Sequence, residues 1–261
     1  MPVFVISDIH AFLGKTLDVL SESGFFDSED SKLILLGDML DRGKEAKATC
    51  EFLVKLFRED RLIFIRGNHE DMIEEALDEI DDGYALDVLT ASQHVPCGTV
   101  DTLLQLADMT LAEALASPKE LVRRVKETDY YRILLPSAID YYETDKYIFT
   151  HAWIPSRLVV CDGAVRYLYR EDWREADELD WRRARWHNGI KVGCEHHVLE
   201  PGKTIVCGHF STSYAHCNIE HASPEYGADA DYSPYYGYGI IAIDGSVAHS
   251  GRLNCIRLDP E

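Results

Sequence analysis

The chain has 261 residues, 46% of them hydrophobic, and carries 46 Asp and Glu against 26 Lys and Arg for a net charge of -20. That size buries a substantial core, while so acidic a balance disfavours nucleic-acid backbones and anionic lipids, which basic surfaces grip. The opening MPVFVISDIH does not read as a secretory signal, no window offers the roughly 18 apolar residues of a membrane span, and seven cysteines without a C-x-x-C pair read as reduced thiols, so a cytoplasmic protein with no nucleic-acid or membrane partner is expected.

Three short apolar runs, VFVIS (3–7), LILLG (33–37) and LIFIR (62–66), have the continuous character of buried parallel strands. Leu13, Leu17 and Leu20 recur at helical spacing between the first two, with Gly24 as a stop. Ala46, Cys50, Leu53, Val54 and Phe57 do so between the second and third. The pattern is β-α-β-α-β, whose right-handed crossovers bring the three strand ends to one edge, where ligands bind in open α/β sheets. Residues 71 to about 135 are expected to be helical, with a helix opening at Ser117, Pro118 and Glu120. A hairpin turning at Thr144-Asp145 follows, then an Arg- and Trp-rich stretch at 166–191. The strands KTIVCGH, GIIAID and LNCIRLD close the chain, with 222–238 as a long loop. No linker divides the sequence, so one domain over 1–261 with a helical insertion at about 71–135 is expected.

What the strands deliver at their ends is unusual. The first ends in Asp8-Ile9-His10, the second in Gly37-Asp38-Met39-Leu40-Asp41-Arg42-Gly43 and the third in Gly67-Asn68-His69-Glu70. YIFT runs into His151 and TIVCG into His209. Taken singly each has an ordinary explanation: Asp after a strand is most often a helix N-cap, a lone histidine a hydrogen-bonded structural residue. Five in this order on strand ends point elsewhere. Asp, His and Asn suit manganese, iron or zinc, and two ions about 3.5–4 Å apart, bridged by one carboxylate, clamp phosphoryl oxygens and activate water.

The motifs SDIH, GDMLDRG, GNHE, THAW and CGH resemble the calcineurin-like metallophosphoesterase superfamily. Within it they are most similar to PPP-type serine/threonine protein phosphatases of a bacterial or phage-like branch. The resemblance runs from Asp8 to His209, and IDGSVAHSGRLNCIRL resembles the family's last hairpin. It implies an α/β fold, a four-layer αββα sandwich with the helical insertion near the site. It implies two divalent metal ions, manganese first with iron or zinc as alternatives, held by Asp8, His10, a bridging Asp38, Asn68, His151 and His209. His69 would protonate the leaving oxygen with Asp41 orienting its ring, and Arg42 would grip the phosphate. Among Arg182, Arg183 and Arg185 the resemblance favours Arg185 as a second phosphate contact. Trp153 stands where the family often has a small residue and is expected to shape the substrate floor.

The family's G-H-x-H is Gly208-His209-Phe210-Ser211 here, so one ligand of many relatives is missing, with His216 and His221 as nearby substitutes. Glu70 and the acids after it are expected to favour the positive end of a helix. The function implied is phosphoester hydrolysis of serine/threonine protein phosphatase type through a metal-bridging hydroxide, on a phosphorylated protein or a small phosphoester. A diadenosine tetraphosphate hydrolase is the alternative, with Trp153, Tyr214 or the Tyr-rich loop as a wall for the base. A catalytically silent metal-binding regulatory protein is the second alternative.

Overall fold

A computed structural model describes residues 3–161 and 163–259. Strands β1 (Val3–Ile6), β2 (Lys32–Leu35) and β3 (Leu62–Phe64) run parallel, with Ile6 paired to Leu35 and Leu35 to Phe64. The crossovers between them are α1 (Leu13–Glu22) and α2 (Ala46–Arg58). Gly24, at φ +83°, follows α1 in the left-handed conformation that ends many helices.

After β3 the chain turns helical, through α3 (Asn68–Glu79), α4 (Ala85–Thr90), α5 (His94–Cys97), α6 (Thr99–Ala107), α7 (Leu111–Ala116), α8 (Pro118–Lys126) and α9 (Leu135–Ser137). Helix α8 starts where the sequence predicts, with Pro118 in its first turn. The Ser117 hydroxyl makes no capping bond, however: Glu120 N donates to the Ser117 carbonyl at 3.0 Å, and the Glu120 carboxylate is bound to Arg123 and Arg124.

Strands return as the hairpin β4 (Tyr141–Glu143) and β5 (Tyr147–Thr150), closed at Thr144 by an N–H donated to Tyr147 O at 2.9 Å. A separate antiparallel ribbon of β6 (Arg157–Cys161) and β7 (Ala164–Leu168) leads to α10 (Glu178–Ala184) and α11 (Gly189–Cys194). Then come β8 (Thr204–Cys207), α12 (Thr212–Asn218), β9 (Tyr235–Gly237), β10 (Ile240–Ala242), α13 (Val247–Ser250) and β11 (Cys255–Leu258). The long loop expected over 222–238 ends in β9, which pairs antiparallel with β10.

Two sheets result, ordered β11-β1-β2-β3 and β4-β5-β8-β10-β9. Val5, Ile34 and Ile65 from the first meet Phe149, Val206 and Ile241 from the second in one apolar layer. Helices α1, α2 and α3 share one apolar cluster with the outside of the first sheet, α6 packing on α2 and α3 and α8 on α6. Trp153, Trp173, Trp181, Ile190 and Ala215 cover the outside of the second. This is the four-layer αββα sandwich. The closing segment differs from the expected hairpin: β10 pairs with β8 and β9 in the second sheet, whereas β11 pairs with β1 in the first.

Trp153 is fully buried, donates its Nε1–H to Val198 O at 3.0 Å and lies against Gly189 and Gly193, where no side chain would fit beside it. Trp153→Ala is expected to lower the unfolding free energy by about 3–5 kcal/mol, read as a lower urea midpoint at unchanged slope.

Candidate active site

The loops that follow β1, β2, β3, β5 and β8 meet at one edge of the sandwich. Asp8, His10, Asp38, Asp41, Arg42 and His209 all have φ between +46° and +70°. Side chains other than Gly adopt this region at a cost of about 1–3 kcal/mol each, and it persists only where the surroundings enforce it. Backbone bonds do so here: His10 N donates to Asp38 O at 3.0 Å, Ala11 N to Met39 O at 2.9 Å and Gly208 N to His151 O at 2.7 Å. Glycine permits the approach, since a Cβ at Gly67 would overlap the Asp38 carboxylate and one at Gly208 would overlap that of Asp8.

Asp38 stands at the centre. Its Oδ2 lies 3.8 Å from Nε2 of both His10 and His69 and its Oδ1 3.4 Å from His151 Nε2. Asp38 forms one candidate ligand set with His10 and His69 and another with His151 and His209, the atoms of each set lying within 4.8 Å of one another. The main chain fixes which ring nitrogens face inward. His10 Nδ1 donates to Leu40 O at 2.8 Å and His151 Nδ1 to Leu36 O at 2.6 Å, so each turns an Nε2 lone pair to the centre. There His151 Nε2 meets Asn68 Oδ1 at 2.8 Å, His209 Nδ1 at 3.2 Å and Asp38 Oδ1 at 3.4 Å. Acceptors converging without a matching set of donors suit divalent cations, and a neutral imidazole beside an ionised carboxylate is the ligand form. Asp8 accepts from His209 N at 2.9 Å and so joins the first strand end to the last.

Electrostatics point the same way. Burial opposes ionisation of Asp38, yet the surrounding imidazoles of His151, His69, His10 and His209 hold its carboxyl well below the ordinary range. Burial, then Asp244 and Asp38, push Asp8 well up. Burial carries Asp244 to about 6, with Asp38 adding to the rise. It also lowers His10, His151 and His209, the last to about 3. The cluster thus holds more buried acid than its own side chains neutralise, and cations would relieve that excess.

Beside it lies a second device. His69 Nδ1 donates to Asp41 Oδ2 at 2.6 Å, and Nε2 sits 3.0 Å from Arg42 Nη2 and 3.8 Å from Asp38 Oδ2. Burial works against protonating His69, but Asp38 and Asp41 outweigh it and raise the pKa above the ordinary imidazole value. Arg42 is exposed and reaches over the cluster from its rim.

Two residues read as substrate contacts are placed differently from expectation. Trp153 has no accessible surface and belongs to the core of the outer layer, so it forms no substrate floor. Arg185 is 2% exposed and bound to Asp71 at 2.8 Å, Glu178 at 3.1 Å and Asp140, so three carboxylates already hold its guanidinium. His216 and His221 do not replace the missing ligand: His216 bonds Glu220 and Ser233 O, and His221 bonds Cys217 O.

Other residues gain importance. Glu70 does more than face a helix end. Buried, its carboxylate accepts from Gly67 N at 2.8 Å, Asp38 N at 2.9 Å and Met39 N at 3.1 Å, tying two of the loops together. Burial and Asp38 raise it to about 7. Asp244 ends the strand GIIAID and so stands at a sixth strand end with a site-type residue, a signal legible in the sequence. Trp186 is 52% exposed, with its ring 6.0 Å from that of His209 and nearly perpendicular to it. It lies next to Arg185 in the stretch Ala184-Arg185-Trp186-His187-Asn188-Gly189, from which the sequence singles out the arginine rather than the ring.

Known proteins resemble this chain in sequence and in fold. Residues 1–242 match the family described as calcineurin-like phosphoesterase. A stretch of 71 residues, 26% of the chain, is 41% identical to the serine/threonine-protein phosphatase 4 catalytic subunit of Kluyveromyces lactis and spans 22% of that protein. A cold-active protein tyrosine phosphatase superposes with a TM-score of 0.52 at 15% identity, over 99% of this chain and 73% of that one. The cold-active protein-tyrosine phosphatase of a psychrophilic Shewanella species gives 0.51 at 15% identity, over 99% and 75%. At such identity the two structures speak to the fold alone. With nearly the whole sequence matched by the family pattern and the sandwich in place, the chain belongs to the calcineurin-like phosphoesterase family.

Proposed function

We propose that this chain is a two-metal phosphoesterase that hydrolyses phosphomonoesters with chemistry of the serine/threonine protein phosphatase type. The observation that carries this reading is one buried carboxylate, Asp38, with His10 on one side and His151 and His209 on the other, and with the His69–Asp41 pair and an exposed arginine beside it. Asp8, His10 and Asp38 would hold one ion, and Asp38, Asn68, His151 and His209 the other; manganese fits this oxygen and imidazole set, as do iron and zinc. When bound, such a pair activates water and neutralises phosphoryl oxygens.

The rest falls to the chain's own side chains. Arg42 is free to grip phosphate in a bidentate fork, which draws it off His69 Nε2. Asp41 holds the Nδ1 proton, leaving Nε2 as the nitrogen that works on substrate. Water adds to phosphorus and gives up a proton to solvent, the ester P–O bond breaks, the departing oxygen takes its proton from His69 Nε2, and His69 regains one from solvent.

The substrate is a phosphorylated side chain or a small phosphoester. The half-exposed Trp186 beside His209 favours a second reading, a diadenosine tetraphosphate hydrolase, because its ring offers a face for a base. Six cysteines are free among the described residues, which supports a cytoplasmic setting, and there no helix is long and apolar enough to cross a membrane. Residues 1–261 are read as one domain, with about 71–135 as its helical insertion.

The purified chain is expected to release p-nitrophenol from p-nitrophenyl phosphate with Mn²⁺ and to stop after chelation. Bound metal without turnover on that ester, on a phosphopeptide or on diadenosine tetraphosphate would mean a silent binding protein. His69→Ala should keep its metal and lose turnover roughly 100-fold or more, whereas Asp38→Ala should lose metal as well, as measured by elemental analysis beside the assay. Gly208→Ala, whose Cβ overlaps Asp8, is expected to lower metal stoichiometry while the fold is retained by circular dichroism.

A further inference from the structure

One face of α6 holds the segment 41–46 at regular intervals. Thr99 Oγ1 donates to Asp41 Oδ2 at 2.7 Å, and Thr102 Oγ1 accepts from Asp41 N at 3.0 Å. Gln105 Nε2 donates to Gly43 O at 3.1 Å while its Oε1 accepts from Ala46 N at 3.1 Å. Residues three apart on a helix share a face, so three successive turns read out successive parts of one loop. At the rim Lys44 pairs with Asp101 at 2.9 Å. Gly98, the residue before α6, has φ +87°, and a Cβ there would overlap the backbone of Arg42. The helix start thus abuts the chain between the acid's partner and the phosphate arginine.

The loop needs that support, since Asp41 and Arg42 are both left-handed, at φ +70° and +61°. Among the described residues Asp41 Oδ1 has no hydrogen-bond partner, and Oδ2 makes the side-chain hydrogen bonds of this buried carboxylate, to His69 Nδ1 at 2.6 Å and to Thr99. Without the Thr99 hydroxyl the carboxylate would be held by the ring it is meant to orient.

We propose that α6 is a positioning element for proton delivery and that Thr99 is its positioning residue. Thr99 fixes the Asp41 carboxylate, Asp41 fixes the His69 ring, and His69 Nε2 is thereby aimed at the leaving oxygen. The inference rests on the hydrolase reading above and gives the helical segment a part in the chemistry. An alkoxide leaving group needs its proton early, whereas p-nitrophenolate leaves without one. Loss of aim therefore shows as a dependence on the leaving group.

The test uses the full chain loaded with Mn²⁺, assayed on p-nitrophenyl phosphate and on a phosphoserine peptide, with metal content measured in parallel. Thr99→Val keeps the shape and removes the hydroxyl. Its kcat on the phosphoserine peptide should fall roughly tenfold and that on p-nitrophenyl phosphate by about twofold or less, with KM and metal content unchanged. Thr99→Ser should restore the peptide rate. Thr102→Val, which removes the acceptor for Asp41 N–H, should give the same leaving-group-dependent loss and supplies the readout if Thr99→Val does not fold. Equal losses on both substrates, a changed metal content, or no loss at all would overturn the proposal. A wild-type chain without metal-dependent turnover would instead overturn the hydrolase reading, and this inference with it.

Discussion

A carboxylate buried among imidazoles, Asp38, is the point on which the rest of the site depends. Removing a charge from water is costly unless partners replace the solvent, and here they come from four different loops. His69 N donates to Oδ1 at 3.0 Å, while the ring nitrogens of His10 and His151 are turned toward it by carbonyls of its own loop, Leu40 and Leu36. The arrangement works in both directions. The loop of Asp38 orients the histidines, and the histidines hold Asp38 ionised. Glu70 then locks the backbone beneath with three accepted N–H bonds.

Acid is in surplus around this point. Asp8, Asp244 and Glu70 are all pushed upward by burial, and Asp38 adds to each. Without cations the cluster is self-repelling, and the strained loops that carry it are kept in place by glycines too crowded to bear a side chain. Local frustration of this kind is typical of a functional site, where sequence rules are broken for the sake of chemistry.

The strand ends were legible because a parallel sheet brings its carboxyl ends to one edge whatever the side chains are. Asp8, Asp38 and Asn68 converge for that reason in the first sheet and His151 and His209 in the second, while the packing of the two sheets brings the groups together; the β-α-β-α-β order of the first third was readable from apolar runs alone. What failed to show was whatever depended on packing between distant parts. Trp153 follows a site histidine by two residues, yet the chain turns there and buries the ring against α11. Arg185 lies among exposed arginines in sequence, but Asp71 and Asp140 come from elsewhere to enclose it. The final hairpin looked continuous because a strand that changes sheets has the same local pattern as one that does not. Thr99 and Thr102 lie about 60 residues from Asp41, and no periodicity connects them.

That change of sheets has a consequence for how the molecule is made. Val3, near the start of the first strand, pairs with Leu258, and His209 binds Asp8 across 201 residues. During synthesis β1, β2 and β3 emerge together with the helices that cover them, but the free edge of β1 must wait for β11. Until then an apolar strand edge stays open to pairing with another chain. Contacts of such long range also make the closing step slow. Assembly of the acid cluster is thus tied to a late event, and a nascent chain holds only part of it until His209 and Asp244 have left the ribosome.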